Sequence, residues 1–376
     1  MPLYLTFIIT LIGFVAVNAA RVVLQLYALD IGANPTQVGI LVASYYVCPL
    51  LLSLTAGSMG DRLGPQRPLL LSAACGTAGL VIPYFWHTLP ALFIGGAMSG
   101  LSFAFFLVIV QNLVGVLSAP DKRAQNFSNF SLVGATSNFI GPLVAGFSID
   151  NFGYPAACIT AAMLALATGV IVVMWGRLLP GASARAAAKT RIVDTLRDPA
   201  IVRILAIGSL VQLGTDLFQF YIPVYGVSIG LSASAIGTLL ATFAAASFVV
   251  RFGLSRLIAR LGTDRLLAYS FFIAGVGFVL VPLFQSAVML GLVSFIFGLG
   301  TGCGQPIATM MMFSRSTEGR SGEALGLRLT ANNLVRVIAP AFFGFIVSGF
   351  GLAPVFFINA LMMGAGGVIS QPKKPL

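Results

Sequence analysis

The chain has 376 residues, of which 58% are hydrophobic and only 8% are charged. So few charged side chains cannot cover a water-facing surface, and the composition therefore excludes a soluble globular protein. The formal net charge is +11, a value shared by many nucleic-acid-binding proteins, so the placement of the basic residues must decide its meaning. The four cysteines show no metal-ligand spacing, and we predict neither a metal site nor a cofactor.

Apolar runs near the ~20 residues that cross a bilayer occur six times in each half of the chain. We number them in chain order as predicted segments 1 to 12. Segments 1 to 6 lie close to 3–29, 36–59, 68–86, 90–117, 124–149 and 154–176. Segments 7 to 12 lie close to 201–229, 233–256, 265–285, 288–313, 322–348 and 352–371. The predicted fold class is an all-α membrane protein in which these transmembrane helices form two pseudo-symmetric six-helix bundles.

The basic residues predict the orientation of the chain. Of 21 lysines and arginines, 17 fall in the termini and connections on one side of this topology. By the positive-inside rule that side is cytoplasmic, so both termini are expected inside a bacterial inner (plasma) membrane. The net charge is therefore a signal of topology, and we predict no nucleic-acid partner. The other four basic residues, Arg21, Arg251, Arg328 and Arg336, fall within predicted segments; Arg251 is expected to snorkel to the interface.

The two halves match each other, without a gap, after a shift of 198 residues. Matched pairs include Tyr27 with Tyr225, Arg62 with Arg260, Gly64 with Gly262, Gly100 with Gly298, Pro142 with Pro340 and Gly153 with Gly351. Because each half has an even number of segments, both copies enter the membrane in the same orientation. Duplicated membrane halves are typical of transporters. The predicted domains are an N-terminal bundle (1–178), a cytoplasmic linker (179–200) and a C-terminal bundle (201–376).

The connection between segments 2 and 3 carries a recognisable motif. It contains Gly57, then an Asp61-Arg62 pair four residues later, then Gly64 and Arg67. This pattern resembles the cytoplasmic signature of the major facilitator superfamily. Pro65 stands where that signature has its first basic residue after Gly64. The resemblance covers the whole chain. It implies a secondary transporter that works by alternating access. It also implies that Gly57, Asp61, Arg62, Gly64 and Arg67 help to hold a cytoplasmic gate closed, near the start of segment 11 at Ser321–Glu323.

Two further signatures of the family bear on the direction of transport. Segment 5 contains Gly141 and Pro142 within a stretch similar to the glycine–proline signature of antiporters, and we assign both residues to gating. Ser137 and Ala145 replace two glycines of that signature. In segment 4, Gly96 stands where proton-coupled exporters of the family often carry an arginine. The resemblance therefore supports proton-coupled export only in part.

Polar side chains form stripes on three predicted segments. Segment 1 places Asn18, Arg21 and Gln25 on one face, and segment 7 places Gln212, Asp216 and Gln219 on one face. Because the shift relates these two segments, the stripes are expected to face each other across a central cavity. Segment 11 adds Arg328, Asn332 and Arg336, and Arg336 corresponds to Asn138 of segment 5. The predicted substrate-binding residues are Asn18, Arg21, Gln25, Asn138, Gln212, Gln219 and Arg336. Further candidates are Tyr45, Tyr46, Asn112, Tyr221, Tyr225, Gln305 and Asn333.

Asp216 is the only carboxylate predicted near the middle of the membrane, and we assign it to proton coupling. One hypothesis is that Arg21 pairs with Asp216 and only holds the halves together. The other is that the cavity has a net positive character and attracts an anionic group, while a proton and Arg21 compete for Asp216. Both hypotheses stay open at this point.

The predicted function is secondary active transport of small organic molecules by alternating access, as proton-coupled export. The alternative is an uptake symporter for an organic anion, which the surplus of buried arginine favours. A non-transporting sensor with the same fold would keep the cavity. An enzyme is not predicted, because the single histidine lies near the surface and no carboxylate pair lies at depth. The expected partners are a small-molecule substrate, protons and membrane lipid, and the protein is expected to be a monomer.

Overall fold

The structure is a computed structural model that describes residues 2–119, 121–180, 199–315 and 321–371. Within these ranges the chain is helical, with no β-strand. The helices of the first half are α1 (Pro2–Asp30), α2 (Pro35–Leu63), α3 (Gln66–Phe85), α4 (Leu89–Leu117) and α5 (Arg123–Trp175). Those of the second half are α6 (Pro199–Ser228), α7 (Ala233–Phe252), α8 (Leu254–Leu261), α9 (Thr263–Leu280), α10 (Ala287–Thr301), α11 (Gly304–Arg315), α12 (Ser321–Phe350) and α13 (Leu352–Ser370).

The helices confirm the prediction of a multi-pass membrane protein. Eleven helical runs in the described part of the chain are long and apolar enough to cross a membrane. The longest run covers 54 residues, which as a straight helix would extend about 80 Å, far more than a bilayer core of about 30 Å. It bends at Gly153, where φ is 78°, so that α5 consists of two arms. These arms correspond to predicted segments 5 and 6.

Two other predicted segments are divided. Segment 8 continues beyond α7 into the short helix α8, and segment 10 is interrupted between α10 and α11 at Gly302 and Cys303. The carbonyl of Gly302 has no helical donor, because the residue four positions later is Pro306, which has no N–H. Arg251 donates its Nε to the carbonyl oxygen of Gly302 at 3.1 Å. This bond gives Arg251 a polar partner within the protein, whereas the sequence predicted only that its side chain reaches the interface.

The duplication is visible in the backbone. Positive φ angles occur in the described residues only at six glycines, which form three pairs separated by the 198-residue shift. The pairs are Gly32 (85°) with Gly230 (76°), Gly64 (77°) with Gly262 (78°), and Gly153 (78°) with Gly351 (83°). Residues with a Cβ are disfavoured at such angles, so glycine fixes where each copy turns. The bend within α5 is therefore the counterpart of the turn that separates α12 from α13.

Close backbone contacts join the two halves of the chain. We call the side where α1 ends and α2 begins the distal side; it lies opposite the N-terminus of α1. There α2 packs on α12, and α5 packs on α7. A Cβ at Gly39 would lie 2.2 Å from the carbonyl oxygen of Pro340, and a Cβ at Gly237 would lie 2.4 Å from that of Pro142. Glycine is required at both positions, which are counterparts under the shift, because only glycine lets the helices approach this closely.

Candidate functional site

A cavity of about 320 Å³ lies between helices from both halves of the chain. Helices α1, α2, α4 and α5 form one side, and α6, α11 and α12 form the other. The lining residues are Phe14, Val17, Asn18, Arg21, Tyr45, Tyr46, Phe103, Leu107, Gly134, Asn138, Gln212, Thr215, Asp216, Gln219, Gln305 and Arg336. The volume is that of a site for a small molecule.

Arg21 is held between two uncharged side chains. Its Nη1 donates to the hydroxyl oxygen of Tyr46 at 2.9 Å, and its Nη2 donates to Oε1 of Gln219. Arg21 and Gln219 are 198 residues apart, so the side chains that meet here occupy the same position in the two copies. This contact agrees with the prediction that the polar stripes of segments 1 and 7 face each other.

Asp216 forms a salt bridge with Arg336. Its Oδ2 accepts a hydrogen bond from Nε of Arg336 at 3.0 Å and another from Nε2 of Gln212 at 2.7 Å. The Asp216 side chain is only 9% exposed, and that of Arg336 is 24% exposed. Tyr46 connects the two arginines, because the guanidinium of Arg336 lies 5.1 Å from the centre of the ring whose hydroxyl accepts from Arg21.

The hypothesis that Arg21 is the salt-bridge partner of Asp216 is therefore wrong. Arg21 lies opposite its own counterpart, Gln219, and Asp216 is three residues away from Gln219 along α6. Three residues of helix correspond to about 4.5 Å along the axis. Arg336 reaches Asp216 instead, because α12 packs directly against α6.

Six of the seven predicted substrate-binding residues line the cavity, together with Asp216. Gln25 is the exception: it is buried, and its Nε2 donates to the carbonyl oxygen of Phe220 at 2.7 Å, distal to Arg21. Asn18 lines the cavity while its amide donates to the carbonyl oxygen of Phe14 at 2.9 Å in its own helix. Helical spacing predicted the shared face correctly, but it did not predict the depth at which the cavity ends.

Of the further candidates from the sequence, some line the cavity and others lie outside it. Tyr45, Tyr46 and Gln305 line the cavity. Tyr225 lies elsewhere, since its hydroxyl donates to the carbonyl oxygen of Phe284 at 3.0 Å. Tyr221 is fully buried among aromatic rings, and neither Asn112 nor Asn333 lines the cavity. The sequence analysis missed the lining residues Phe14, Val17, Phe103, Leu107, Gly134 and Thr215, because no pattern separates them from ordinary packing residues of an apolar helix.

A third arginine lies behind the cavity wall. Arg328 is buried, and its Nη1 donates to Oε1 of Gln305 at 2.8 Å. Gln305 in turn donates to the carbonyl oxygen of Gly208 at 3.3 Å. Asn332, one turn along α12 from Arg328, is also buried. Gln305 thus lines the cavity while Arg328 and the carbonyl of Gly208 hold its amide in one orientation.

The predicted gating residues are only partly described. Gly141 lets α5 approach α1, since a Cβ there would lie 2.5 Å from Cβ of Asn18, and Pro142 forms the contact with Gly237. Arg62 and Arg67 are exposed, and Gly64 takes one of the positive φ angles. The surroundings of Gly57, Asp61 and Ser321–Glu323 lie outside the described part, as do all of the linker residues 181–198. The roles assigned to the gate and the linker stay predictions.

Membrane-crossing helices, an internal duplication and a polar cavity lined by both copies define an integral membrane protein with a site between its halves. The sequence profile described as "Major Facilitator Superfamily" matches residues 6–315 and 204–375. The chain belongs to the major facilitator superfamily.

Two curated relatives come from Staphylococcus aureus (strain Mu50 / ATCC 700699). The staphylopine export protein is 31% identical over 146 residues, which cover 38% of this chain and 36% of that relative. The quinolone resistance protein NorA is 22% identical over 137 residues, which cover 36% of this chain and 35% of that relative. The matches thus span about a third of each relative, and what those proteins transport is not carried over to this chain by similarity alone.

Solved structures share the fold over nearly the whole chain. A POT family transporter in complex with 5-aminolevulinic acid has a TM-score of 0.83 at 13% identity, covering 98% of this chain and 94% of that one. A mutant of the nucleoside transporter NupG has a TM-score of 0.78 at 13% identity, covering 98% and 99%. At such low identity these likenesses concern the fold alone.

Proposed function

We propose that the protein is a secondary active transporter that exports small organic molecules in exchange for protons, by alternating access around the central cavity. It would act in the plasma membrane of a bacterium with both termini in the cytoplasm. The main support is Asp216, a carboxylate on the cavity wall that is bound by Arg336 and Gln212. The two Staphylococcus aureus relatives are named for staphylopine export and for quinolone resistance, and both names favour export.

Asp216 can couple a proton to a rearrangement because its charge has a defined partner. When ionised it ties α6 to α12 through Arg336. Protonation removes the negative charge and leaves the guanidinium without its counter-ion. Removing one partner of a buried ion pair is unfavourable by about 3 kcal/mol or more, so the helices would adopt another arrangement when the proton binds. In export, protons would reach Asp216 from the distal side and leave toward the cytoplasm.

The arrangement of close contacts supports an inward-facing state. On the distal side the backbone contacts of Gly39 and Gly237 close the path between α2 and α12 and between α5 and α7. Asp150, at the distal end of the first arm of α5, accepts hydrogen bonds from the backbone N–H groups of Ala233 and Ser234 at the start of α7, at 3.0 and 2.8 Å. Alternating access would require these contacts to separate while the cytoplasmic ends close.

The uptake of an organic anion with a proton is the second candidate, and the charge of the cavity favours it. Both Arg21 and Arg336 line the cavity, and Asp216 is its one carboxylate among the residues described. An anion that draws Arg336 away would leave Asp216 without its counter-ion, and a proton bound by Asp216 would remove that uncompensated charge. The anion and the proton would then bind together, as symport requires.

The sign of proton movement in everted membrane vesicles distinguishes the two candidates. In such vesicles the cytoplasmic face is outside, and a pH-sensitive dye in the lumen reports proton movement after a compound is added to the medium. An exchanger moves protons out as the compound enters, so the lumen becomes more alkaline. A symporter running in the same direction carries protons in, so the lumen becomes more acidic. Naphthalenesulfonate, a quinolone and naphthylmethylammonium would be tested.

Vesicles with the Asp216→Asn variant are the control for leakage and passive permeation. We expect alkalinisation with the native protein and none with the variant. Acidification with the native protein would favour the symporter instead. If transport proceeds with an unchanged luminal pH, proton coupling is wrong for both candidates.

A further inference from the structure

We infer that the substrate is an amphipathic organic anion whose anionic group binds Arg21 and whose apolar body lies against α1 and α4. The inference rests on the proposed function only in that the central cavity is taken as the transport site. It adds a substrate class and an orientation in the site.

The balance of charge on the cavity wall is the first argument. Arg336 is neutralised by Asp216 through their salt bridge. Arg21 has hydrogen bonds to Tyr46 and Gln219, which are uncharged. In the part of the chain that the structure describes, the cavity therefore has one surplus positive charge. A charge at this depth is unfavourable without a partner of opposite sign, and a bound anion supplies the missing counter-charge.

The position of the Arg21 side chain is the second argument. Tyr46 and Gln219 hold its guanidinium from two sides, so the group is oriented before any substrate arrives. A guanidinium has five N–H donors, and these bonds use two of its nitrogens, which leaves donors for another acceptor. Carboxylate, sulfonate and phosphate groups accept two parallel bonds from such a planar donor. An ammonium group would instead be repelled by Arg21, the charge that has no counter-ion in the described part of the cavity wall.

The uneven polarity of the wall is the third argument. Phe14 of α1 and Phe103 and Leu107 of α4 make one side apolar. Gln212, Thr215 and Gln305 make the opposite side polar, and Arg328 orients the amide of Gln305 from behind. A bound molecule is matched best if its apolar body contacts α1 and α4 while its charged end reaches Arg21. A cavity of about 320 Å³ is large enough for a fused pair of aromatic rings with a charged substituent.

The test uses three probes with the same apolar body and different charge: naphthalenesulfonate, naphthalenesulfonamide and naphthylmethylammonium. Their affinities for the purified full-length protein in detergent are measured by isothermal titration calorimetry. We expect the anion to bind at least about tenfold more tightly than the neutral and cationic probes. In Arg21→Gln this preference is expected to disappear. Arg177→Gln is the matched control, because it removes the same charge from an exposed position outside the cavity.

Three further measurements keep the inference open to refutation. The thermal midpoint of each variant without probe shows whether it is folded, and Arg21→Lys keeps the charge if Arg21→Gln does not fold. Naphthalenesulfonate should bind the native protein more tightly than methanesulfonate, which lacks the apolar body. In Phe103→Ala this difference in affinity should become smaller, because the apolar body loses its contact with the Phe103 ring. Equal binding of the three probes, or full affinity of the anion in Arg21→Gln, would overturn the inference.

The outcomes also separate this inference from the proposed function. Tight binding of the anion without any change of luminal pH in the vesicles would contradict proton coupling and leave the substrate class standing. Luminal pH changes driven by the ammonium probe, without binding of the sulfonate, would leave proton-coupled transport standing and contradict the substrate class.

Discussion

Arg21 and Gln219 occupy the same position in the two copies of the repeat, and their side chains are hydrogen-bonded to each other. Two residues that are each other's counterpart can touch only close to the axis that relates the copies. Identical residues there would give either two like charges in contact or no charge at all. With arginine in one copy and glutamine in the other, the axis has a single guanidinium with an oriented acceptor beside it. The polarity of the cavity thus depends on a difference between otherwise similar halves.

Gln219→Glu should convert this contact into an ion pair. The new carboxylate would lie where Oε1 of Gln219 now accepts from Arg21, so the surplus charge of the cavity would be cancelled. We expect a higher thermal midpoint without ligand and at least about tenfold weaker binding of naphthalenesulfonate, because Arg21 already has an anionic partner. Thr215→Glu places a carboxylate elsewhere on the wall as a comparison. Unchanged sulfonate affinity in Gln219→Glu would contradict the assignment of Arg21 as the anchor.

Asp216→Asn should destabilise the protein by leaving Arg336 without its counter-ion. We expect a loss of about 3 kcal/mol in the free energy of unfolding, since both side chains are largely buried. Arg336→Gln alone should be destabilising too, and the double variant should recover part of the loss because neither charge then remains unpaired. Chemical denaturation in mild detergent measures all four forms. Strictly additive effects of the two substitutions would show that the salt bridge does not couple these residues.

Much of the fold could be predicted from the sequence because apolar length and the repeat are properties of the sequence itself. The shift even matches glycines whose positive φ angles mark the same turns in both copies. The partner of Asp216 could not be predicted in this way. Spacing along α1 and α6 gives the faces that meet, whereas the reach of Arg336 depends on how α12 crosses α6. Phe103 could not be predicted as a lining residue, since an aromatic residue in an apolar helix can pack against protein or against lipid.

Gly39→Ala and Gly237→Ala should each open the distal side. The added Cβ would lie within 2.4 Å of a proline carbonyl oxygen on the facing helix, and a backbone atom cannot move away as a flexible side chain can. Overpacking of this kind is unfavourable by about 1–3 kcal/mol, so the population should shift toward a state in which the helices separate. A Gln25→Cys substitution provides a single cysteine for labelling. A membrane-impermeant reagent added on the distal side should label it faster in either glycine variant. Gly364→Ala is the control, because no atom lies within 4 Å of a Cβ there.

Asp150→Ala should also favour opening on the distal side, and more strongly than the equivalent change in the other copy. Asp150 accepts two backbone hydrogen bonds from the start of α7, where its negative charge also interacts favourably with the helix dipole. Its counterpart Ser348 bonds only neutral groups, including the hydroxyl of Thr36 at 2.8 Å. We therefore expect faster distal labelling of the cysteine at Gln25 in Asp150→Ala than in Ser348→Ala. Asp150→Asn, which keeps an acceptor but removes the charge, should fall between them. Equal rates in Asp150→Ala and Ser348→Ala would mean that the charge of Asp150 has no part in holding the distal side closed.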